Sequence, residues 1–214
     1  MTDLSIKIEL VSEGIFATGA AENAGADIDI LKDDLGVPYL KGKTLKGKLR
    51  EEAEMLKEHL EAMGFFEAQD MFRGLFGKSG DFSHETLKFS NCKISKGIEE
   101  RLKLIANINH ITVDSITKAM TEIRSFTKLD DQGIAEDGSL RKARVIKRGL
   151  LLYCRIDCPR DLTNLEKGLL ASAVSALRNL GAMESRGKGN VLCRLLEDGE
   201  DVTEKYIREL EAVV

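Results

Sequence analysis

A strand, a helix and a second strand follow one another in the last third of the sequence, and this pattern constrains the fold most. Every second residue over 150–158 is apolar, which is typical of a half-buried β-strand. Thr163 and Glu166 have the spacing of a capping box at the start of a helix. The apolar stripe of that helix consists of Leu165, Leu169, Ala173, Leu177 and Leu180. Residues 191–195 alternate again, so the segment is predicted to be a β-α-β unit.

The first part of the chain repeats this order. Residues 5–10 alternate as a strand, and residues 44–63 have the apolar spacing of a helix with Thr44 as its N-cap. The apolar face of the helix consists of Leu45, Leu49, Ala53, Leu56, Leu60 and Met63. A glycine-rich break over 72–80 precedes a strand predicted over 86–95. The order β-α-β-β-α-β predicts an α+β fold with a ferredoxin-like core, the pattern of RNA-recognition modules.

The remaining segments are predicted to be insertions within one domain of residues 1–214, because no Pro/Ser-rich linker divides the chain. The predicted core covers about 1–12, 43–95 and 148–198, the insertions about 13–42 and 96–147, and a terminal amphipathic helix about 201–213. Within the second insertion we predict a helix near 97–106, a strand near 121–128 and a turn at 136–139.

Composition favours a globular protein of the cytoplasm. Hydrophobic residues make up 43% of the chain, and no apolar run approaches the roughly 20 residues that span a bilayer. The first residues lack the basic and apolar regions of a secretion signal, and the four cysteines show no CxxC pair. Cys154 and Cys158 would lie roughly 13 Å apart along a strand, so we predict buried thiols rather than metal ligands. His59, His84 and His110 are predicted to be surface or loop residues.

Five cations and no carboxylate occupy residues 41–50, at the predicted start of the first helix. The amino end of a helix already carries about half a positive charge, so lysines there do not favour stability. A phosphate bound at this end would offset the repulsion between the lysines and the partial positive charge of the helix. A nucleotide-binding P-loop is disfavoured because five residues, not four, separate Gly36 and Gly42, and Pro38 and Tyr39 stiffen the segment. The run therefore predicts a site for a phosphodiester rather than a nucleoside triphosphate.

Two further segments are also rich in cations. A second run of five cations without an acid spans residues 141–148, although the formal net charge of the chain is -4. The turn at 181–189 combines three glycines with Arg186 and Lys188. Glycines allow close approach of a backbone, and the two cations can clamp a phosphodiester. These runs predict that a polyanion binds along selected surfaces.

Two aspartates, Asp27 and Asp29, lie in the loop ahead of the first basic run. A carboxylate beside a bound phosphodiester can position a metal ion or take part in proton transfer. The loop is therefore a candidate site for strand cleavage.

Four segments together resemble the RAMP superfamily, the repeat-associated RNA-binding subunits of CRISPR effector complexes, and above all the backbone subunit of type III complexes. Residues 33–50 are similar to the family pattern G-x-P-Y-I-P-G-S-S-L-K-G-x-x-R. The other segments are Leu75-Phe76-Gly77 with its following strand, residues 124–150, which resemble the protruding thumb of the family, and the turn at 181–189. The resemblance implies a ferredoxin-like core with insertions, whose copies stack along a guide RNA and whose thumb splays its bases.

The resemblance also implies roles for individual residues. Asp27 lies at the position of the aspartate that catalytic members use for metal-dependent cleavage of target RNA, and Asp29 is the fallback if the loop is shifted. Mg²⁺ or another divalent cation would be the cofactor, with none bound tightly. The partners would be guide RNA, target RNA, other effector subunits and further copies of the chain, away from membranes. The predicted RNA-binding residues are Lys41, Lys43, Thr44, Lys46, Lys48, Arg50, Arg124, Arg141, Arg144, Arg186, Gly187, Lys188 and Gly189.

Departures from the family pattern keep two alternatives open. Lys41 replaces its proline, Lys43 and Thr44 replace its serine pair, and the loop around Asp27 lacks the Asp-Asn-Pro run of catalytic members. The first alternative is a structural RAMP subunit that binds RNA without cutting it. The second is a ferredoxin-like protein-interaction or small-molecule domain that does not bind RNA.

Overall fold

The computed structural model describes residues 3–18, 26–77, 86–109, 111–127, 132 and 139–214. Helices and strands alternate along these residues. They are β1 (Leu4–Leu10), α1 (Gly42–Ala62), α2 (Ala68–Phe76), β2 (Lys88–Phe89), α3 (Lys96–Asn109), α4 (Val113–Met120), β3 (Thr121–Phe126), β4 (Arg141–Ile146), β5 (Leu151–Asp157), α5 (Asn164–Ala176), β6 (Val191–Glu197), β7 (Glu200–Asp201) and α6 (Thr203–Glu211).

Five strands form one antiparallel sheet in the order β2-β5-β1-β6-β7. The central strand is β1, in which Ile6 lies opposite Cys154 of β5 on one side and Leu195 of β6 on the other. Along the chain the core elements follow one another as β1-α1-β2-β5-α5-β6. The predicted α+β class is confirmed, and this order is compatible with the predicted ferredoxin-like core.

One face of the sheet is covered by helices because alternate strand residues are apolar. The buried residues of β1 are Leu4, Ile6, Ile8 and Leu10, and Ser5, Lys7 and Glu9 lie half-buried on the other face. Helices α1, α2, α5 and α6 pack against one another and join the same hydrophobic cluster. The predicted capping box is present at α5, where the Glu166 N–H donates to Thr163 Oγ1 at 3.2 Å and the Thr163 N–H donates to Glu166 Oε2 at 2.9 Å.

Helix α1 begins two residues earlier than predicted, and Thr44 is not its N-cap. Lys41 occupies the cap position without a side-chain cap, and the Gly42 N–H instead donates to Asn91 Oδ1 at 3.1 Å. A Cβ on Gly42 would lie 2.2 Å from the carbonyl oxygen of Ser90, so the close approach requires glycine. The sequence pattern could not show this cap, because its acceptor is 49 residues away.

The glycine-rich break predicted over 72–80 is wrong in its first part. Residues up to Phe76 belong to α2, which buries Ala68, Met71, Phe72, Leu75 and Phe76 on one face. Gly74 is accommodated inside that helix, and α2 ends at Gly77 with a φ of 74°. Residues 78–80 lie outside the described residues.

The strand predicted over 86–95 is shorter and interrupted. Only Lys88 and Phe89 belong to β2, and the following residues form single bridges, Cys92 with Leu40 and Lys93 with Tyr153. Leu40 belongs to the first insertion and Tyr153 belongs to the core. The segment therefore pairs partly with the insertion and partly with the core. Such divided pairing depends on tertiary contacts rather than on local alternation.

The second insertion contains two helices and a separate two-stranded hairpin, β3 and β4, here called the thumb hairpin. The predicted helix near 97–106 and the predicted strand near 121–128 correspond to α3 and β3. Sequence periodicity did not predict α4 or β4. Arg124 of β3 lies opposite Ala143 of β4. Residues 136–138 of the predicted turn lie outside the described residues.

Three of the residues considered as metal ligands, Cys154, Cys158 and His59, are described by the structure. Cys154 is fully buried, as predicted, whereas Cys158 follows the end of β5 and is only half-buried. His59 is exposed, and His84 and His110 lie outside the described residues. No helix among the described residues is both long and apolar enough to cross a membrane.

Candidate nucleic-acid interface

The first turn of α1 is open at its positive end. It contains no acidic residue, and Lys41, Lys43 and Thr44 are exposed. Within the described part of the chain, neither Lys41 nor Lys43 forms a hydrogen bond or an ion pair through its side chain. Two free ammonium groups therefore lie beside helix N–H groups that already carry a partial positive charge, which favours an anion there.

Two other cations of the basic run, Lys46 and Arg50, turn inward instead. Lys46 Nζ donates to the carbonyl oxygen of Leu87 at 2.7 Å and to Thr86 Oγ1 at 3.3 Å. Burial lowers the pKa of Lys46, and the nearby Arg50 lowers it further. The Arg50 guanidinium lies 5.5 Å from the centre of the Phe72 ring. In this conformation, Lys46 and Arg50 link α1 to the segment around α2, and they are less accessible to RNA than Lys41 and Lys43.

The last lysine of the run, Lys48, joins α1 to the turn at residues 181–189, here called the glycine turn. Its ammonium lies 3.4 Å from Glu51 Oε2 and 3.7 Å from Glu184 Oε1. Glu184 begins a 3-10 turn over Glu184–Arg186. The ion pair is long and partly exposed, so its contribution to stability is small. Its importance is that it places the glycine turn beside the second turn of α1.

Positive φ angles shape the glycine turn. Gly187 has a φ of 70° and Gly189 a φ of 76°. The Gly189 N–H donates to the carbonyl oxygen of Glu13 at 2.7 Å, and a Cβ at Gly189 would lie 2.1 Å from the carbonyl oxygen of Leu180. A Cβ at Gly187 would meet open space. Gly189 is therefore required for packing, whereas Gly187 leaves its backbone open to a ligand.

Glu13 connects the glycine turn to the thumb hairpin. Its Oε1 accepts hydrogen bonds from Arg124 Nη2 at 2.6 Å and Nε at 3.1 Å, and its Oε2 accepts one from Lys188 Nζ at 2.5 Å. The hydrogen bonds from Arg124 and Lys188 hold the pKa of Glu13 below its ordinary value. One carboxylate thus tethers two of the predicted RNA-binding cations, and it does so midway along β3 of the hairpin.

We expect Glu13→Gln to lower stability at pH 7 by about 1 kcal/mol, the scale of a partly exposed ion pair. Because the folded pKa of Glu13 is lowered, its contribution is present above the usual glutamate pKa of about 4.3 and is lost as pH falls through the folded value. Urea unfolding of both proteins at pH 7 and pH 3 measures the effect. A difference of equal size at both pH values would contradict this role.

An aromatic ring and further cations lie on the thumb hairpin next to the glycine turn. The Arg186 guanidinium is 6.0 Å from the centre of the Phe126 ring, and Phe126 lies opposite Arg141 in the hairpin. Arg141 is exposed. A ring between two arginines provides a surface on which bases stack and phosphates are neutralised.

The two candidate catalytic aspartates have different surroundings. Asp27 is exposed, and its Oδ2 accepts a hydrogen bond of 2.7 Å from the Lys142 N–H of β4. The Asp27 N–H in turn donates to the carbonyl oxygen of Lys142 at 2.7 Å. The thumb hairpin therefore holds Asp27 by its backbone and by one carboxylate oxygen.

Asp29 is fully buried in an ion pair. Its Oδ1 accepts from Arg144 Nε at 3.0 Å and from the Ile30 N–H at 2.8 Å, and its Oδ2 accepts from Lys32 Nζ at 3.0 Å. Burial raises the pKa of Asp29, but the hydrogen bonds from Lys32 and Ile30 outweigh it, so the pKa lies below its usual value. Arg144 is itself 8% exposed and also donates to Thr121 Oγ1 at 3.3 Å. The fallback aspartate and Arg144 thus anchor the loop to the hairpin.

Among the described residues, no three His, Cys, Asp or Glu side chains are grouped closely enough to hold a metal ion. Of the two candidate aspartates, Asp27 is the one that offers a carboxylate oxygen to solvent. Mg²⁺ commonly binds through one or two carboxylates, waters and the phosphates of a substrate. Among the described residues, Asp27 is thus the candidate aspartate that could hold such an ion together with an RNA phosphate.

The RAMP superfamily model matches residues 7–192, which include both insertions and most of the core. The chain belongs to the RAMP superfamily. The matched region of this RAMP chain includes the open end of α1, the glycine turn and the thumb hairpin. No curated protein sequence matches the chain.

Solved structures show the same fold at low sequence identity. A chain of the Type III-B Cmr-beta complex bound to cognate target RNA has a TM-score of 0.61 and 12% identity, with 96% of this RAMP chain and 98% of that chain covered. A chain of Cmr-beta in the apo state has a TM-score of 0.62 and 13% identity, with 92% and 98% covered. The similarity therefore extends over almost the whole of each chain.

Sequence reasoning did not find the carboxylates and the ring that organise this interface. Glu13 belongs to no motif, and Glu184, Phe126 and Lys142 lie in segments that were singled out for other residues or for their charge. Glu13 is 111 residues from Arg124 and 175 from Lys188. No local spacing could indicate these partners, because only the sheet and the hairpin bring them together.

Proposed function

We propose that the chain is an RNA-binding subunit of a type III CRISPR ribonucleoprotein, which packs along guide RNA in the cytoplasm with other effector subunits and copies of itself. One observation carries the proposal. Glu13 and Glu184 join the glycine turn to the thumb hairpin and to α1, so three basic elements distant in sequence form one surface. Family membership and the fold shared with Cmr-beta chains support it. The free cysteines fit a reducing compartment.

The groups on this surface suit a single-stranded RNA backbone. Lys41, Lys43 and the Thr44 hydroxyl would contact phosphates at the open end of α1. Arg186 and the accessible backbone of Gly187 would contact the next part of the strand, and Phe126 would offer a stacking face. Lys48, Arg124 and Lys188 would add charge while holding the three elements together.

We expect Lys41→Ala with Lys43→Ala to weaken RNA binding and to make its salt dependence shallower. Each phosphate that a lysine no longer neutralises should reduce the slope of log K against log salt by roughly 0.7 on a single strand. Fluorescence anisotropy with labelled single-stranded RNA at several salt concentrations measures the slope. These two lysines are better probes than Lys46, whose replacement would also remove the hydrogen bond to Leu87.

The matched control is Lys205→Ala with Arg208→Ala, which removes two exposed cations from α6. This variant should keep the slope of the wild type. A slope that is equal in all three proteins would contradict the proposed interface, whereas no RNA binding by the wild type would favour a domain that does not bind RNA.

Cleavage of target RNA is a further part of the proposal, with Asp27 as the residue that acts. Its Oδ2 is fixed by the Lys142 N–H, which orients the carboxylate beside the thumb hairpin. Asp27 would help to hold Mg²⁺ or a similar cation, whose charge would supply stabilisation of the reacting phosphodiester. A structural subunit that binds RNA without cutting it is the alternative. The absence of the Asp-Asn-Pro run around Asp27 favours that alternative. Measuring cleavage by the Asp27→Asn variant distinguishes a cutting subunit from a structural one.

A further inference from the structure

The open face of the main sheet carries a continuous row of side chains that the interface above does not use. Strand pairing places Lys7 of β1 opposite Tyr153 of β5 on one side and opposite Arg194 of β6 on the other. Tyr153 in turn lies opposite Lys93 in a single bridge. Directly opposite residues point to the same face of a sheet. The row Lys93-Tyr153-Lys7-Arg194 therefore crosses β5, β1 and β6 on one face, with Lys93 bridged to β5.

This face is the one that the helices leave uncovered. The neighbours of Tyr153 along β5, Leu152 and Cys154, are fully buried on the opposite face. All four members of the row are half-buried, so solvent reaches part of each residue. Within the described ranges, the side chains of Lys7, Lys93 and Tyr153 form no hydrogen bond or ion pair.

Acidic groups lie beside the row but do not neutralise its centre. Arg194 Nε lies 3.4 Å from Asp201 Oδ2 at the edge of the sheet. One row away, Arg155 Nε lies 3.6 Å from Asp3 Oδ1, with both side chains more than two-thirds exposed. Glu9 lies two residues from Lys7 on the same face of β1. Lys93 lies within electrostatic range of Glu99, which is itself paired with Lys103 at 2.7 Å. Lys7 and Lys93 lie on the two sides of the tyrosine, and neither forms an ion pair with a described residue.

We propose that this row is a second binding surface for a single-stranded stretch of RNA, separate from the surface formed by α1, the glycine turn and the thumb hairpin. The Tyr153 ring would stack one base, and Lys7, Lys93 and Arg194 would neutralise the phosphates beside it. Adjacent strands are about 4.8 Å apart, so the row is about 14 Å long, which is enough for two or three nucleotides. Four-stranded sheets of this kind bind RNA through aromatic residues on their open face.

A protein partner is less well matched to the row than RNA. Cations on both sides of one aromatic ring suit alternating phosphates and bases, whereas protein interfaces deplete lysine. The choice of RNA as ligand rests on the proposed function. The identification of the row as a binding surface does not rest on the proposed function, because the row shares no residue with the other interface.

Tyr153→Ala tests the proposal in the full-length chain, with a labelled uridine-rich single-stranded RNA as probe. We expect affinity to fall roughly 5- to 150-fold, the range for loss of one stacked base. Tyr153→Phe keeps the ring and should bind like the wild type. Lys7→Ser should lower the salt slope by roughly 0.7. Thermal unfolding of each variant shows whether the sheet is intact.

The same measurements in the Lys41→Ala, Lys43→Ala background separate the two surfaces. There the remaining RNA binding should still depend on Tyr153. Equal affinity of Tyr153→Ala and the wild type in both backgrounds would overturn the inference, whatever the lysine variants show. Loss of binding in Tyr153→Phe as well as in Tyr153→Ala would also overturn it, because stacking would not be the cause.

Discussion

Asp29→Ala is expected to destabilise the protein by about 3–5 kcal/mol, because it leaves a buried charge without its partner. Arg144 has a side chain only 10% exposed, and its Nε would no longer have the Asp29 Oδ1 as an acceptor. The Ile30 N–H would also be left without its carboxylate acceptor. Since this ion pair joins the first insertion to the thumb hairpin, loosening of that hairpin should follow.

Urea unfolding at pH 7 measures the effect, and Asp27→Ala is the matched control two residues away. Asp27 is exposed, so its replacement should cost about 1 kcal/mol or less. The double variant Asp29→Leu, Arg144→Met should recover part of the loss, since it removes both buried charges. A cost of Asp29→Ala no greater than that of Asp27→Ala would show that the ion pair does not anchor the loop.

Asp27→Asn is expected to slow cleavage of target RNA by roughly 10²–10⁴-fold in an effector complex assembled with its guide RNA and supplied with Mg²⁺, on the scale of removing a group that acts directly in the reaction. Asparagine keeps an oxygen that can accept the hydrogen bond from the Lys142 N–H, so the loop should remain in place. It lacks the negative charge that would hold a divalent cation. Guide and target binding should therefore stay within about twofold of the wild type, since tight binding rests on other residues.

The outcome is read from single-turnover cleavage of a labelled target, with binding measured on the same preparation. Cleavage at the wild-type rate in Asp27→Asn would remove Asp27 from the reaction, and the absence of cleavage in both proteins would favour the structural subunit. Asp29→Asn is a poor substitute for this test, because its effect on the buried Arg144 would alter folding as well as chemistry.

The core of the fold was accessible from the sequence because its signals are local. Alternation over 5–10, 150–158 and 191–195 indicated the central strands, and the capping box at Thr163 indicated the start of α5. Helix α2 was missed because Gly74 and Gly77 suggested a break. Its buried face, which includes Phe72 and Phe76, stabilises the helix despite Gly74.

The candidate interface was only partly accessible. The sequence indicated the cations of the interface, but its pattern did not distinguish the five cations of residues 41–50 from one another. The structure divides this run, with Lys41 and Lys43 open, Lys46 and Arg50 turned inward, and Lys48 paired across to the glycine turn. Helical spacing alone does not show which face meets another element.

The sequence by itself determined the order of the core elements, the acid-free basic runs and the family resemblance, since each depends on residues close together in the chain. The tertiary structure decided which charges are free. It placed Asp29 in a buried ion pair and left Asp27 exposed, and it aligned Lys93, Tyr153, Lys7 and Arg194 on one face of the sheet. Those outcomes depend on partners as far apart in sequence as Lys7 and Arg194, which only sheet register and packing bring together.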